Sequence, residues 1–209
     1  VSDKPIIRHW WLIRHAPVLS SVLYGQLDIE ASLPADSVFE DLAGSLPKIS
    51  QVFSSDLTRC VATANRIIDF MGVDPLPVQE MPEFREQDFG AWQGLSYSEI
   101  ENQYPSAYRA FWENAATVAP PKGESFERMA KRVCEARQKL QSRCTEENIL
   151  LVAHAGTIRA LVGEALGLQP EKALSLVVDP LSLTRLTSYV SPDCQENWAV
   201  NCLNRPFVA

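Results

Sequence analysis

The sequence predicts an α/β fold: a three-layer sandwich with a mostly parallel central sheet, helices on both faces and a helical cap insertion. Three observations point there. Short apolar runs alternate with longer segments of helical period. One of those runs, residues 149–153, is apolar throughout, as a strand covered on both faces must be. The stretch 84–122 breaks both patterns. A chain of 209 residues with 46% apolar and 22% charged content can bury a core without disulfide or metal staples. It reads as a single domain spanning 1–209, with the cap at about 84–122.

Strand-like runs fall at 9–14, 51–54, 76–79 and 148–153. Helical stripes lie between them. Residues 56–71 place Leu57, Val61, Ala64 and Ile68 on one face and stop at Gly72. Residues 124–143 align Phe126, Met129, Val133, Ala136 and Leu140, and 157–166 run up to Gly167. Strands alternating with helices favour parallel pairing through right-handed crossovers. Near the end, 181–190 and 197–203 read as two strands joined by the turn Ser191-Pro192-Asp193. The 84–122 stretch carries aromatic-dense spots, short helical pieces and the breaker pair Pro120-Pro121, and is expected to fold over the sheet as a cap.

Composition excludes several classes. A formal charge of −7 gives no cationic face for nucleic acid or an anionic membrane. No run is long and apolar enough to span a bilayer, and the cluster at 10–13 is too short for a signal peptide. The five cysteines, Cys60, Cys134, Cys144, Cys194 and Cys202, are dispersed without a C-x-x-C pair. They read as reduced thiols of a cytoplasmic protein, with Cys194 and Cys202 unbridged. Neither G-x-G-x-x-G nor G-x-x-x-x-G-K-[ST] occurs, which sets aside dinucleotide-binding and P-loop readings. Three dispersed histidines make no metal cluster, and His9, at a strand start, is read as structural or surface. No metal and no cofactor is expected.

The other two histidines share a setting. His15 follows the apolar run Trp10-Trp11-Leu12-Ile13 and Arg14; His154 follows 149–153 where a helix begins. In an open parallel sheet, ligands bind beyond the carboxyl ends of the strands, so both histidines are expected at one edge. Arg59 lies one turn into the helix that follows a third strand, and that helix start adds partial positive charge. Two arginines and two histidines there make an anion site in an acidic protein. Arginine suits a phosphoryl group because its planar fork donates parallel hydrogen bonds and keeps its charge.

At this point the chain shows a family resemblance. Leu12-Ile13-Arg14-His15-Ala16 resembles the Leu-Val-Arg-His-Gly signature of the histidine phosphatase superfamily, which includes the cofactor-dependent phosphoglycerate mutases. Ser54-Ser55-Asp56-Leu57-Thr58-Arg59 resembles the second arginine segment, and Phe84-Arg85-Glu86-Gln87-Asp88-Phe89-Gly90-Ala91-Trp92-Gln93-Gly94 the acidic one. Pro121-Lys122-Gly123-Glu124-Ser125 and Val152-Ala153-His154-Ala155-Gly156 resemble two further blocks, all five in family order.

The resemblance implies a phosphoglycerate mutase-like fold and assigns roles. His15 would be the nucleophile that forms a phosphohistidine. Arg14, Arg59 and His154 would clamp the transferring oxygens, and Glu86 would protonate the leaving oxygen and then activate water. Without the resemblance, Glu80, Glu83, Glu86 and Asp88 are equivalent candidates for the acid. The chain departs from the pattern at Ala16, Pro17 and Val18, and Ser21 stands where an asparagine is common. Ser21 is carried as a phosphate contact.

Residues 24–29, the acidic block and the terminal hairpin look most like the alpha-ribazole phosphatase branch, which dephosphorylates alpha-ribazole 5′-phosphate in cobalamin biosynthesis. A mutase would need a basic cluster for its substrate's carboxylate. Residues 95–122 offer Arg109 and Lys122 but offset them with Glu99, Glu101 and Glu113. The expectation is therefore a metal-independent phosphomonoesterase acting on a small-molecule phosphomonoester, as a monomer or homodimer. A phosphoglycerate mutase-type phosphotransferase and a catalytically silent phospho-ligand module are the alternatives; the intact Arg14, His15, Arg59, Glu86 and His154 set argues against the silent one. Trp92, Tyr97, Tyr104 and Trp112 either stack on a flat base or pack the cap onto the core.

Overall fold

The computed structural model describes residues 5–72, 76–143 and 147–207; Cys144 lies outside them. Six strands form one sheet in the order β3-β2-β4-β1-β5-β6: β1 (Ile6–Arg14), β2 (Gln51–Ser54), β3 (Val78–Glu80), β4 (Asn148–Ala153), β5 (Leu183–Val190) and β6 (Glu196–Arg205). The pairs β1–β4, β4–β2 and β2–β3 are parallel, while β5 runs antiparallel to β1 and to β6. The sheet is thus mixed: a four-stranded parallel part with the C-terminal hairpin added at one side.

Strand alternation splits the core into two slabs. Trp10 and Leu12 of β1, with Ile149, Leu151 and Ala153 of β4, face Phe126, Met129, Val133 and Ile158. These last belong to α5 (Phe126–Arg143) and α6 (Ala155–Leu166). Trp11 and Ile13, with Leu150 and Val152, face Val38, Phe39, Leu42, Cys60, Ala64 and Ile67. Those side chains lie on α1 (Asp36–Gly44) and α2 (Thr58–Phe70). Because both faces are covered, β4 needs no polar face, which is why it reads as an unbroken apolar run.

The cap has its own small core. Trp92, Ile100 and Phe111 are buried there, with Leu23, Phe89, Tyr104 and Tyr108 against them. Its helices are α3 (Tyr97–Gln103), started by a Ser96–Glu99 capping box, and α4 (Pro105–Glu113), with proline in its first turn. Trp92 meets Phe111 edge-on at 5.2 Å between centroids. Leu23 joins the cap to the loop after β1 by exchanging backbone bonds with Leu95 and Gly94.

Several elements differ from expectation at their edges. α2 starts at Thr58 rather than Asp56 because Asp28 caps it, accepting from the Thr58 N–H and hydroxyl at 2.9 and 2.7 Å. The strand expected from 181 begins at Leu183, since Leu181 sits at φ 56° in a turn. Helices α1 and α7 (Pro170–Ala173) had no strong sequence signal. Cys60, Cys134, Cys194 and Cys202 are free thiols. No helix among the described residues is long and apolar enough to cross a membrane.

Candidate active site

The parallel register brings the candidates together. Arg14 pairs with Ala153 across β1 and β4, so the next residues, His15 and His154, leave adjacent strands side by side. Their rings lie 5.1 Å apart between centroids, inclined at 64°. His15 is 2% exposed and His154 and Arg59 are fully buried.

The His15 ring is held in a defined state. Its Nδ1 lies 2.7 Å from the Ala16 carbonyl oxygen. A carbonyl only accepts, so Nδ1 carries the proton and Nε2 keeps its lone pair. Burial pushes the His15 pKa down to about 3; the bond to Ala16 opposes this, and the Arg59 and Arg14 guanidiniums add to it. Burial also holds His154 well below the usual range, reinforced by His15, Arg59, Arg14 and Arg132. Both imidazoles are therefore neutral at ordinary pH. His154 Nε2 contacts the Ser55 hydroxyl at 2.9 Å, with Cys60 Sγ at 3.4 Å. The Ala16 backbone is pinned too, its N–H donating to Thr63 Oγ1 at 3.0 Å. Alanine fits there because its φ is not positive.

The arginines are anchored and still have donors to spare. Arg14 donates Nη1 to Val178 O at 2.7 Å. Arg59 donates to Leu27 O at 2.9 Å and Gly25 O at 2.5 Å, with its guanidinium 5.0 Å from the Tyr24 ring. The Nε atoms of both are buried without a partner. Buried donors without acceptors are costly and call for an explanation; an anion bound between the two guanidiniums would satisfy them.

Glu86 stands at the start of α6. Its Oε1 accepts from Gln87 N at 2.9 Å and its Oε2 from Gly156 N at 3.1 Å. A Cβ at Gly156 would overlap the Glu86 carboxylate, which would have to move away from the Gly156 N–H. The loop bearing Glu86 is clamped by Arg132, which donates to Glu83 O at 2.7 Å, Arg85 O at 3.2 Å and Glu124 Oε1 at 2.5 Å. Glu124 Oε1 also accepts from Asp88 N at 3.1 Å. Arg85 turns away to Asp56.

The expected site residues Arg14, His15, Arg59 and His154 thus converge, with Glu86 at their border. Ser21 is exposed, and among the described residues no hydrogen bond joins its side chain to the others. Sequence reasoning missed Arg132, Gly156 and Ser55. Arg132 sits on the polar side of a helix read only for its apolar stripe. Gly156 and Ser55 lie inside quoted motifs, but only the fold shows what they touch. His9, taken as structural, bonds Thr187 at 2.9 Å. Among the described residues no group of three or more His, Cys, Asp or Glu side chains is placed to hold a metal ion.

The chain is similar to known proteins. The Histidine phosphatase superfamily (branch 1) profile matches residues 10–199, and the chain belongs to that superfamily. It is 35% identical over 147 residues to phosphoglycerate mutase-like protein 4 of Arabidopsis thaliana, covering 68% of this chain and 63% of that relative's length. A glucosyl-3-phosphoglycerate phosphatase of Mycolicibacterium vanbaalenii is 32% identical over 176 residues, 78% of this chain and 76% of that one. A putative alpha-ribazole-5′-P phosphatase of Escherichia coli superposes with a TM-score of 0.81 over 97% of this chain and 98% of its own, at 23% identity. At that identity the likeness is one of fold alone.

Proposed function

We propose that the protein is a metal-independent phosphomonoesterase that works through a phosphohistidine on His15. The observation that carries this reading is the His15 ring, neutral and with Nδ1 committed to the Ala16 carbonyl, beside two arginines whose buried Nε atoms lack acceptors. Nε2 attacks phosphorus in line, the Nε2–P bond forms and the ester P–O bond breaks. Glu86 acts as the acid and gives a proton to the leaving oxygen. The resulting carboxylate then takes a proton from water as that water displaces phosphate from Nε2, which restores both residues. Arg14, Arg59 and His154 stabilise the charge spreading over the equatorial oxygens.

Within that class, alpha-ribazole 5′-phosphate is the specific substrate favoured by the resemblance of residues 24–29, the acidic block and the terminal hairpin. Hydrolysis rather than transfer is supported by the cap, where Arg109 and Lys122 are exposed and matched by glutamates.

The direct test is alkaline quenching during turnover of p-nitrophenyl phosphate, followed by peptide mass spectrometry. A phosphorylated His15 that disappears on acid treatment, is missing in His15→Ala and forms equally in EDTA is the expected result. Turnover by wild type without modification of His15, or loss of activity in EDTA, would overturn the reading.

A further inference from the structure

Glu86 and Gly156 also line a second space of a different character. A cavity of about 280 Å³ is walled chiefly by Phe89, Trp92, Ile100, Tyr108, Phe111 and Phe126. It borders the histidine–arginine cradle through Glu86 and Gly156, which also line it. A leaving group attached to a phosphorus held at His15 would therefore have this chamber next to it, with the Glu86 carboxyl at the junction. The exposed pair Tyr97 and Trp112, 6.4 Å apart between ring centroids, adds two more aromatic faces to its lining.

Two polar side chains of the lining are already tied to backbone carbonyls. Gln87 donates its amide to Glu124 O at 2.9 Å. Arg159 donates Nε to Leu176 O at 2.8 Å, and its charge is opposed by Glu86 across the chamber wall. A charged leaving group would lose its hydration against the mostly aromatic walls. Most of the wall is ring and aliphatic carbon, so hydroxyls placed against it would lose water with little in return beyond the Tyr97 and Tyr108 hydroxyls.

We propose that this chamber is the leaving-group subsite and that it selects monoesters of uncharged alcohols that carry an aromatic ring over esters of sugars without such a ring, amino acids or hydroxy acids. This rests on the phosphomonoesterase reading above and narrows it. Aromatic faces suit flat occupants because offset and edge-on contacts come without desolvating polar atoms.

The test compares kcat/KM for naphthylmethyl and quinolinylmethyl phosphates with glucose 6-phosphate, phosphoserine and 3-phosphoglycerate. All are esters of primary alcohols, so the demand on the acid is similar and differences report the subsite. p-Nitrophenyl phosphate serves as the general activity control. The ring esters are expected to lead by at least tenfold, and Trp112→Ala, at a half-exposed position, should shrink that ratio. A flat profile, or one led by a charged or sugar ester, in an enzyme that hydrolyses p-nitrophenyl phosphate would overturn the subsite alone. Silence on every substrate would overturn the hydrolase reading and the subsite with it.

Discussion

The cradle around His15 and the chamber beyond Glu86 meet at two residues and are built on opposite principles. The cradle is polar, buried and tied to the sheet: strand ends deliver His15 and His154, and backbone carbonyls anchor both arginines. The chamber is apolar and drawn largely from the cap, whose small core is separate from the two slabs of the sheet. A reacting phosphoryl group is the same in every monoester, so the part that binds it needs fixed charge and geometry. The leaving group varies, and its site is carried by a segment that can change without disturbing the sheet.

The sharpest way to break that division is His15→Ala. It should lower kcat/KM by roughly 10⁴-fold or more on every substrate, as loss of a nucleophile does. Measured across ring and polar esters, the loss should be uniform; residual activity near wild type would remove His15 from the chemistry. Arg59→Met should cost on the order of 10²- to 10³-fold, again independent of leaving group, since it removes a donor to the transferring oxygens. A loss confined to some leaving groups would place Arg59 with the chamber instead.

Glu86→Gln tests the border. It should cost on the order of 10²-fold for naphthylmethyl phosphate, whose alcohol needs a proton, and much less for p-nitrophenyl phosphate, which leaves as a stable anion. Equal losses would mean that Glu86 is not the acid. Gly156→Ala should mimic that pattern more weakly, roughly tenfold, by displacing the carboxylate rather than removing it. Its effect should be small in Glu86→Gly, where nothing remains to be displaced.

The smallest effect concerns pH. A free histidine titrates near 6.5, and in the folded protein His15 does so at about 3. Between those values the unfolded chain binds the extra proton, so stability present above about pH 6.5 declines as pH falls toward 3. In His15→Asn that contribution is gone. Its melting temperature should therefore fall less than that of wild type between about pH 7 and about pH 4. Parallel curves would mean that His15 is not held neutral.

Most of the sheet was legible because its strands are buried on both faces or alternate cleanly. The unbroken apolar runs of β4 and of Trp10–Ile13 share one physical explanation, since both faces of these strands are covered. α7, at four residues, is too short to show a period, and α1 packs only part of its length on the core. The boundary at Thr58 was invisible because its cap, Asp28, lies 30 residues away. The cradle residues were readable for a related reason: each ends or directly follows a strand or lies at the start of a helix, so local pattern places it.

The sequence by itself determined the order of the strands and of the longer helices, the two strand ends that carry His15 and His154, and the residue types able to hold a phosphoryl group. These follow from periodicity and chain direction, which are local. Only the tertiary structure decided that β1 and β4 are neighbours, that the His15 Nδ1 proton goes to the Ala16 carbonyl, and that Glu86, among four acidic residues, sits at Gly156 and Arg132. It also decided that the cap aromatics both pack a small core and wall a chamber. Each of these depends on contacts between distant segments, where burial and the loss of water set charge, tautomer and pocket shape, and no spacing along the chain encodes that.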